Sequence, residues 1–460
     1  MMKDKIIKIL ESKYFLLYLF IYCLIAFLVN ISLSMTKSIA YPYFVCAFSM
    51  IFCIIGFLCL FFLNDTKNIM MMVFFFPLFH GTLSNVDYNT LLAFSPALIM
   101  VVGLFIHHIK FKTKLKMTPM IPGAIVFWLG ICVGGIGVTA HHNCPTSYYW
   151  YYTLIYILVS ALIIYVMLVL SNDTKMTFVD YSKTLSFAGI LICIEVVIFI
   201  ILNVFFGEQS YFDDKILQLG WGNANTIAIM LLMIIPCCFY LITKEDNRKF
   251  RVFYHVLAYL MIVVLIATFS RIGILVGAFE YIICLIFTIK YSLNKKESYI
   301  LHGISIGLFL LGGASIFVIK PHLFEEIINM LSDIRPGTLN GRRIYYETFV
   351  KVFRQNKIFG VGLIGTFDFI VDPEYPYNFC HSTIFELMLA SGSLGLCALL
   401  YHLIEKYGRL IIKMNREKFI LLLSFLFPGL YGLVDATYLV PVYMVSLFIS
   451  YCMVLDIFKE

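Results

Sequence analysis

The chain has 460 residues, of which 61% are hydrophobic and only 13% charged, and its mean hydropathy is +0.92. A water-soluble fold of this length cannot hide so much apolar surface, so the composition points to the bilayer as solvent. The formal net charge of +7 would hint at nucleic acid in a soluble domain, but the basic residues gather in short connectors between apolar runs. That pattern is a topology signal, and no nucleic-acid partner is expected.

The N-terminal stretch "MMKDKIIKILESKYFLLYLFIYCLIAFLVN" is basic, then apolar. The apolar run is too long for a signal peptide and no small-residue cleavage site closes it, which predicts an uncleaved first membrane helix. Fourteen stretches have the composition of a membrane span: 14–32, 41–63, 69–84, 90–108, 121–140, 150–171, 184–206, 224–243, 252–269, 272–290, 299–320, 381–403, 418–434 and 437–456. The third is short and ends in "HGTLSN", and only "DATYLVP" separates the last pair. The expected fold is therefore an all-α polytopic membrane protein, one integral membrane domain over residues 1–460 with about 12–14 transmembrane helices.

Lysine and arginine bias orients the spans. Counting alternately, "HHIKFKTKLKMTP", "SNDTKMTFVDYSK", "TKEDNRKFR", "KYSLNKKES" and "EKYGRLIIKMNREK" fall on the side of the basic N-terminus, whereas "HGTLSNVDYN" and "HHNCPTSYYW" carry no Lys or Arg. Both termini are expected in the cytoplasm. The opposite side has one long loop, residues 321–380, and loops of that length are usually functional. Within it "LFEEIINMLSDI" and "RRIYYETFVKVFRQN" have helical apolar periodicity. Ile344, Tyr345, Phe349, Val352 and Phe353 share one face of the second, a pattern that suits a short amphipathic helix at the membrane surface.

Thirteen cysteines lie mostly in apolar runs, without a CxxC or a Cys/His cluster of metal spacing. They read as packed membrane thiols, and neither a metal nor a cofactor is expected. Cys144 and Cys380 fall in predicted outer loops. Three outward features break the positive-inside pattern. Arg271, in "ATFSRIGILVG", sits at a tight outer turn, where arginine is costly unless it is paired or lines a water-filled cavity. Arg342 and Arg343, in "LNGRRIYYETF", offer guanidinium forks that suit phosphate oxygens. His381 opens "HSTIFELMLASGSLG". Imidazole, with an ordinary pKa of about 6.5, can act as a base at neutral pH.

At 100° per residue, Phe385, Met388, Gly392 and Gly395 fall below His381 on one helix face, the glycines forming a seam for close helix approach. Glu386 points away, so His381 and Glu386 form no dyad on one face. Glu195 and Glu280 lie mid-span, each reading as structural or as an arginine partner. Asp213 and Asp214, adjacent in an outer loop, give no persuasive metal site. Asn223 and Asn225, in "LGWGNANTIAIMLLMIIP", stand where asparagine caps a helix.

In order, "GNANTIA", "SRIG", "GRRIYYETFVKVFRQNKIFGVGLIG" and "HSTIFELMLASGSLG" resemble the O-antigen polymerase and ligase superfamily of bacterial inner-membrane proteins. The last fits that family's H-[NSQ], nine residues, G-x-x-G pattern through His381, Ser382, Gly392 and Gly395. The resemblance covers residues 220–395, which makes that stretch the expected catalytic region. Ser382 stands where asparagine is common, and Arg343 is an additional arginine after Arg342.

The resemblance implies a metal-independent glycosyltransferase in the bacterial cytoplasmic membrane with its active site facing outward. Its donor and acceptor would be oligosaccharides on undecaprenyl pyrophosphate, with membrane lipids, a chain-length regulator and a flippase as further partners. The expected activity is that of a polymerase joining repeat units of O-antigen, capsule or exopolysaccharide. A ligase passing the glycan to lipid A-core or another acceptor is the near alternative, and a lipid-linked oligosaccharide flippase the alternative of another class. Arg271 and Arg342 would hold the pyrophosphate with Arg343 assisting, and His381 would be the base. Tyr345, Glu386 and Asn225 complete the expected substrate-binding set.

Overall fold

The computed structural model describes residues 2–35, 41–83, 97–138, 158, 161–206, 217–319, 346–347, 349–362 and 380–458. Arg342, Arg343, Tyr345, Cys144, Asp213, Asp214 and the first amphipathic stretch of the long loop lie outside them. The described chain is an all-α polytopic membrane protein whose single pair of two-residue strands is the exception. Each of the fourteen apolar stretches carries a helix. Among the described residues six helices are long and apolar enough by themselves to cross a membrane, including Phe178–Asn203, Ala224–Lys244, Arg271–Tyr291 and Thr383–Ile411. A short helix that the periodicity did not announce, Met2–Leu10, precedes the first.

The helix Ala224–Lys244 is the centre of the bundle. Its sequence is apolar on every side, and a helix of that kind is stable only when surrounded; from Thr226 to Thr243 every residue is buried. Glycines let its neighbours close on it. A β-carbon at Gly273 would meet Ala228 at 2.8 Å, and one at Gly189 would press on Ile234 at 3.0 Å. Cys237 and Cys238 are free buried thiols here, with Cys238 Sγ 3.1 Å from Ser186 Oγ. Cys380 is also a free buried thiol.

Glycines also join the helix Ile121–Val138 to the helix Thr383–Ile411. β-carbons at Gly130, Gly134 and Gly137 would collide with Ala398, with the Ala390 carbonyl and with the Gly360 carbonyl. Small residues allow this approach where lipid provides no hydrophobic drive between helices. The histidine helix, Thr383–Ile411, is not straight, which corrects the expectation of a single face running from His381 to Gly395. Gly392 breaks it with φ 64° and ψ −157°, a combination open essentially to glycine alone.

The break strands backbone groups, and the segment Lys357–Gly362 takes them up. Val361 N donates to Leu389 O at 2.9 Å, Gly362 N to Ala390 O at 2.8 Å, and Ser393 N to Lys357 O at 2.8 Å. The glycines of "FGVGL" allow this contact, since a β-carbon at Gly360 would strike the broken turn. The bend is large. A straight helix from Thr383 to Lys406 would be about 35 Å long. Yet Tyr438 alone bridges both ends, its backbone N 3.5 Å from Thr383 Oγ1 and its hydroxyl bonded to Lys406 Nζ.

The second amphipathic stretch of the long loop is helical at 346–347 and 349–355. Where it is described, its apolar side packs on protein. Phe349 and Val352 are buried in a small core with Val361, Cys380 and Leu389, and Phe349 stacks on Phe385 at 4.8 Å. The loop thereby grips the start of the histidine helix from above the break.

Gly392→Ala is expected to destabilise the protein by about 1–3 kcal/mol from backbone conformation alone, and by more through the collision with Ile358. Gly307→Ala, where an added β-carbon meets nothing within 4 Å, is expected to be neutral or slightly stabilising. Thermal melting of the two purified variants in detergent compares them; equal melting temperatures would contradict the break as a fixed element.

Candidate functional site

Three helices begin at one end of the bundle and meet there. The central helix starts at Ala224, the arginine helix (Arg271–Tyr291) at Arg271 and the histidine helix at Thr383. All three are tied to the end of the helix Arg416–Tyr431 or to the connector that follows it. Ser270, the N-cap of the arginine helix, shares a 2.8 Å hydrogen bond with the Tyr431 hydroxyl. Thr383 N donates to the carbonyls of Gly432 and Asp435 at 2.9 and 3.0 Å. Asn225 Nδ2 donates to Asp435 Oδ2 at 2.9 Å.

His381 has φ 48°, in the left-handed region, where histidine is found more readily than bulkier or branched residues. Nδ1 of its partly exposed imidazole lies 3.7 Å from Asp435 Oδ1. That separation is an ion-pair distance once the ring is protonated, and too long for a hydrogen bond. The other side of Asp435 is held by Asn225, and Oδ1 also accepts from Ala436 N at 2.8 Å.

Glu386 is fully buried, and its Oε2 accepts from Cys380 N at 2.8 Å. Ser382 is the N-cap but makes no side-chain cap bond. Glu386 therefore reaches back from inside the helix and ties down the backbone just before His381. This bond spans the left-handed residue and holds its turn.

Asn223 and Asn225 divide two tasks. Asn223 is the N-cap, its side chain accepting from Asn225 N and Thr226 N at 3.1 Å each. Asn225, relieved of capping, faces Asp435. Ahead of them the hairpin Gln218–Leu219 with Gly222–Asn223 is pinned to the bundle: Trp221 Nε1 donates to Glu195 Oε2 at 2.7 Å. Glu195 thus anchors the approach to Asn225. Glu280, the other mid-span carboxylate, is buried with no hydrogen-bond partner among the described residues.

The structure brings Arg271, Asn225, His381 and Glu386 to one end of the bundle, while Arg342, Arg343 and Tyr345 lie outside the described residues. Asp435 escaped the reading of the sequence, where "DATYLVP" served only as the gap between neighbouring spans. The signal was present: no lysine or arginine stands between Tyr431 and Met444 to neutralise this carboxylate, and an isolated charge beside membrane spans is functional by default. Chemically, the end combines an imidazole facing a carboxylate, an arginine on a helix start, and three helix N-termini, whose partial positive charges favour anions.

Residues 256–400 match the family model described as O-antigen ligase. The matched stretch contains Arg271, Arg342, Arg343, His381 and Glu386 and leaves Asn225 and Asp435 outside. Among curated proteins, none matches the chain. Over this segment the chain is similar to the O-antigen ligases, which supports its resemblance to the superfamily of O-antigen ligases and polymerases.

Proposed function

We propose that the protein is a polysaccharide polymerase that joins oligosaccharide repeat units carried on undecaprenyl pyrophosphate, at the outer face of a bacterial cytoplasmic membrane, with both termini inside. The observation that carries this reading is the convergence of Arg271, the His381–Asp435 pair and three helix N-termini at one end of the bundle. The superfamily contributes the reaction class, transfer of a glycan. The geometry favours a substrate that is anionic and becomes more so as it reacts.

In the proposed step, His381 removes the proton from an acceptor hydroxyl as its oxygen bonds to the anomeric carbon of the donor. The bond from that carbon to the pyrophosphate breaks, and the electron pair leaves with undecaprenyl pyrophosphate. Arg271, Arg342 and Arg343 balance the growing charge, as fixed donors do best in a site shielded from water. No step calls on a metal. Asp435 stabilises the imidazolium that forms, and Asn225 and Ala436 N hold Asp435 in place. Glu386 keeps the turn that presents His381. Tyr345, three residues after Arg342, is suited to stacking against a sugar.

A ligase is the second reading, favoured by the description of the matching family model. Polymerase and ligase share the donor half of the reaction, so the acceptor separates them. Purified protein supplied with a lipid-linked repeat unit as both donor and acceptor is expected to yield a ladder of lengthened chains; no ladder, with transfer only to a different acceptor, would make it a ligase.

His381→Ala is expected to lower ladder formation at least about 100-fold, and Arg271→Ala by roughly 100- to 1,000-fold, with each variant present at the normal level in the membrane. A normal ladder from His381→Ala would remove it as the base.

Asp435→Ala is expected to slow polymerisation by up to about 100-fold through misplacement of the imidazole. Asn225→Ala should follow in the same direction with a smaller loss. Initial rates at saturating substrate measure both, and an unimpaired Asp435→Ala enzyme would dissolve the proposed pair.

A further inference from the structure

At the end of the bundle opposite His381, a cavity of about 780 Å³ opens between the last turn of the arginine helix and the start of the helix Arg416–Tyr431. The ends are opposite because Arg271 and Tyr431 lie at the histidine end, while Lys290 and Arg416 close the same two helices at the other. Lys244, Lys290, Arg416 and Glu417 supply its charges, three cations against one carboxylate.

The single carboxylate is already engaged. Glu417 Oε1 lies 2.9 Å from Lys244 Nζ and accepts from the Tyr240 hydroxyl at 2.9 Å. Lys290 and Arg416 have no carboxylate within ion-pair distance among the described residues. Both flank the ring of Tyr291, the guanidinium carbon of Arg416 at 4.4 Å from its centroid and Lys290 Nζ at 5.2 Å. Both cations thus lie beside one ring and line the same cavity, and a cation over a ring face keeps N–H groups with which to meet an anion.

The wall of the cavity is apolar. Ile283, Ile286 and Phe287 line it, and Ile286, 60% exposed, ends a stripe of outward apolar residues that includes Leu275, Phe279 and Ile282. These positions recur every three or four residues, so they run as one ridge along the helix toward Lys290. A ligand that fits both the cations and the ridge has an acyl chain along the ridge and a phosphate at its foot.

We propose that this cavity is a binding site for an anionic glycerophospholipid, its phosphodiester between Lys290 and Arg416 and one acyl chain on Ile286 and Ile282. Basic pockets between membrane helices bind lipid headgroups by this combination of charge and apolar contact. The site is independent of the glycan chemistry proposed above, and it stands at the other face of the bilayer.

Native mass spectrometry of the full chain, equilibrated with equal amounts of phosphatidylglycerol and phosphatidylcholine, tests it. The expected result is preferential retention of phosphatidylglycerol, reduced by roughly 30-fold in a Lys290→Ala/Arg416→Ala variant, since each cation near a membrane surface contributes about a fivefold preference. A Lys249→Ala/Lys295→Ala variant removes as many exposed charges without touching the cavity and is expected to retain the lipid. Ile286→Asn is expected to weaken retention several-fold. Equal loss in the two double variants would reduce the effect to diffuse surface charge and overturn the site. So would equal retention of the two lipids, and unaltered retention in Ile286→Asn would overturn the acyl-chain contact. Circular dichroism and gel filtration of each variant establish that its fold is intact.

Discussion

A peptide group left without a hydrogen-bond partner inside a bilayer costs several kcal/mol, and the break at Gly392 is tolerated only because another backbone meets it. The segment Lys357–Gly362 accepts from Ser393 and donates to the carbonyls of Leu389 and Ala390. Much of the architecture at the His381 end follows from that bonding. The histidine helix can bend, and Thr383 can reach the connector carrying Asp435. The long loop is fastened to the helix at its break, so the two cannot be placed independently.

The bend also explains how a single imidazole comes to be supported from several regions of the chain. His381 faces Asp435, which lies beyond the next helix in sequence. Asp435 is held by Asn225, at the start of the central helix. Asn225 is positioned by a hairpin pinned through Trp221 to Glu195. The Glu195–Trp221 and Asn225–Asp435 links are ordinary hydrogen bonds and the His381–Asp435 link is a 3.7 Å charge contact, yet together they join residues 195, 221, 225, 381 and 435. The fully buried Glu386 completes the arrangement from within, bonding the backbone that precedes the left-handed histidine. A helix start that lacks a side-chain cap at Ser382 is here secured by a carboxylate one turn further on.

Apolar run length was enough to locate every span among the described residues, because about 20 apolar residues in a row have few other uses. It placed the central helix correctly but said nothing of its being central. That emerged from apolarity on all sides, visible in "IAIMLLMIIPCCFYLI" only as uniformity. The helical wheel misled at Gly392, since a wheel assumes the periodicity that this glycine ends. The amphipathic pattern of the second stretch suits a membrane surface, whereas its described residues Phe349 and Val352 pack in a small core with Phe385 and Leu389. Periodicity identifies an apolar face but not the surface that covers it.

By itself, then, the sequence determined the solvent, the approximate limits of the apolar helices, and the residue types that could handle a phosphate and a proton. Those properties depend on composition and local spacing. Tertiary structure alone decided that Asn225 turns from capping to Asp435, that Glu386 secures a backbone turn, and that Asp435 stands opposite His381. These depend on contacts between segments up to more than two hundred residues apart. Their geometry is set by helix packing and by the bend at Gly392, which no local pattern encodes.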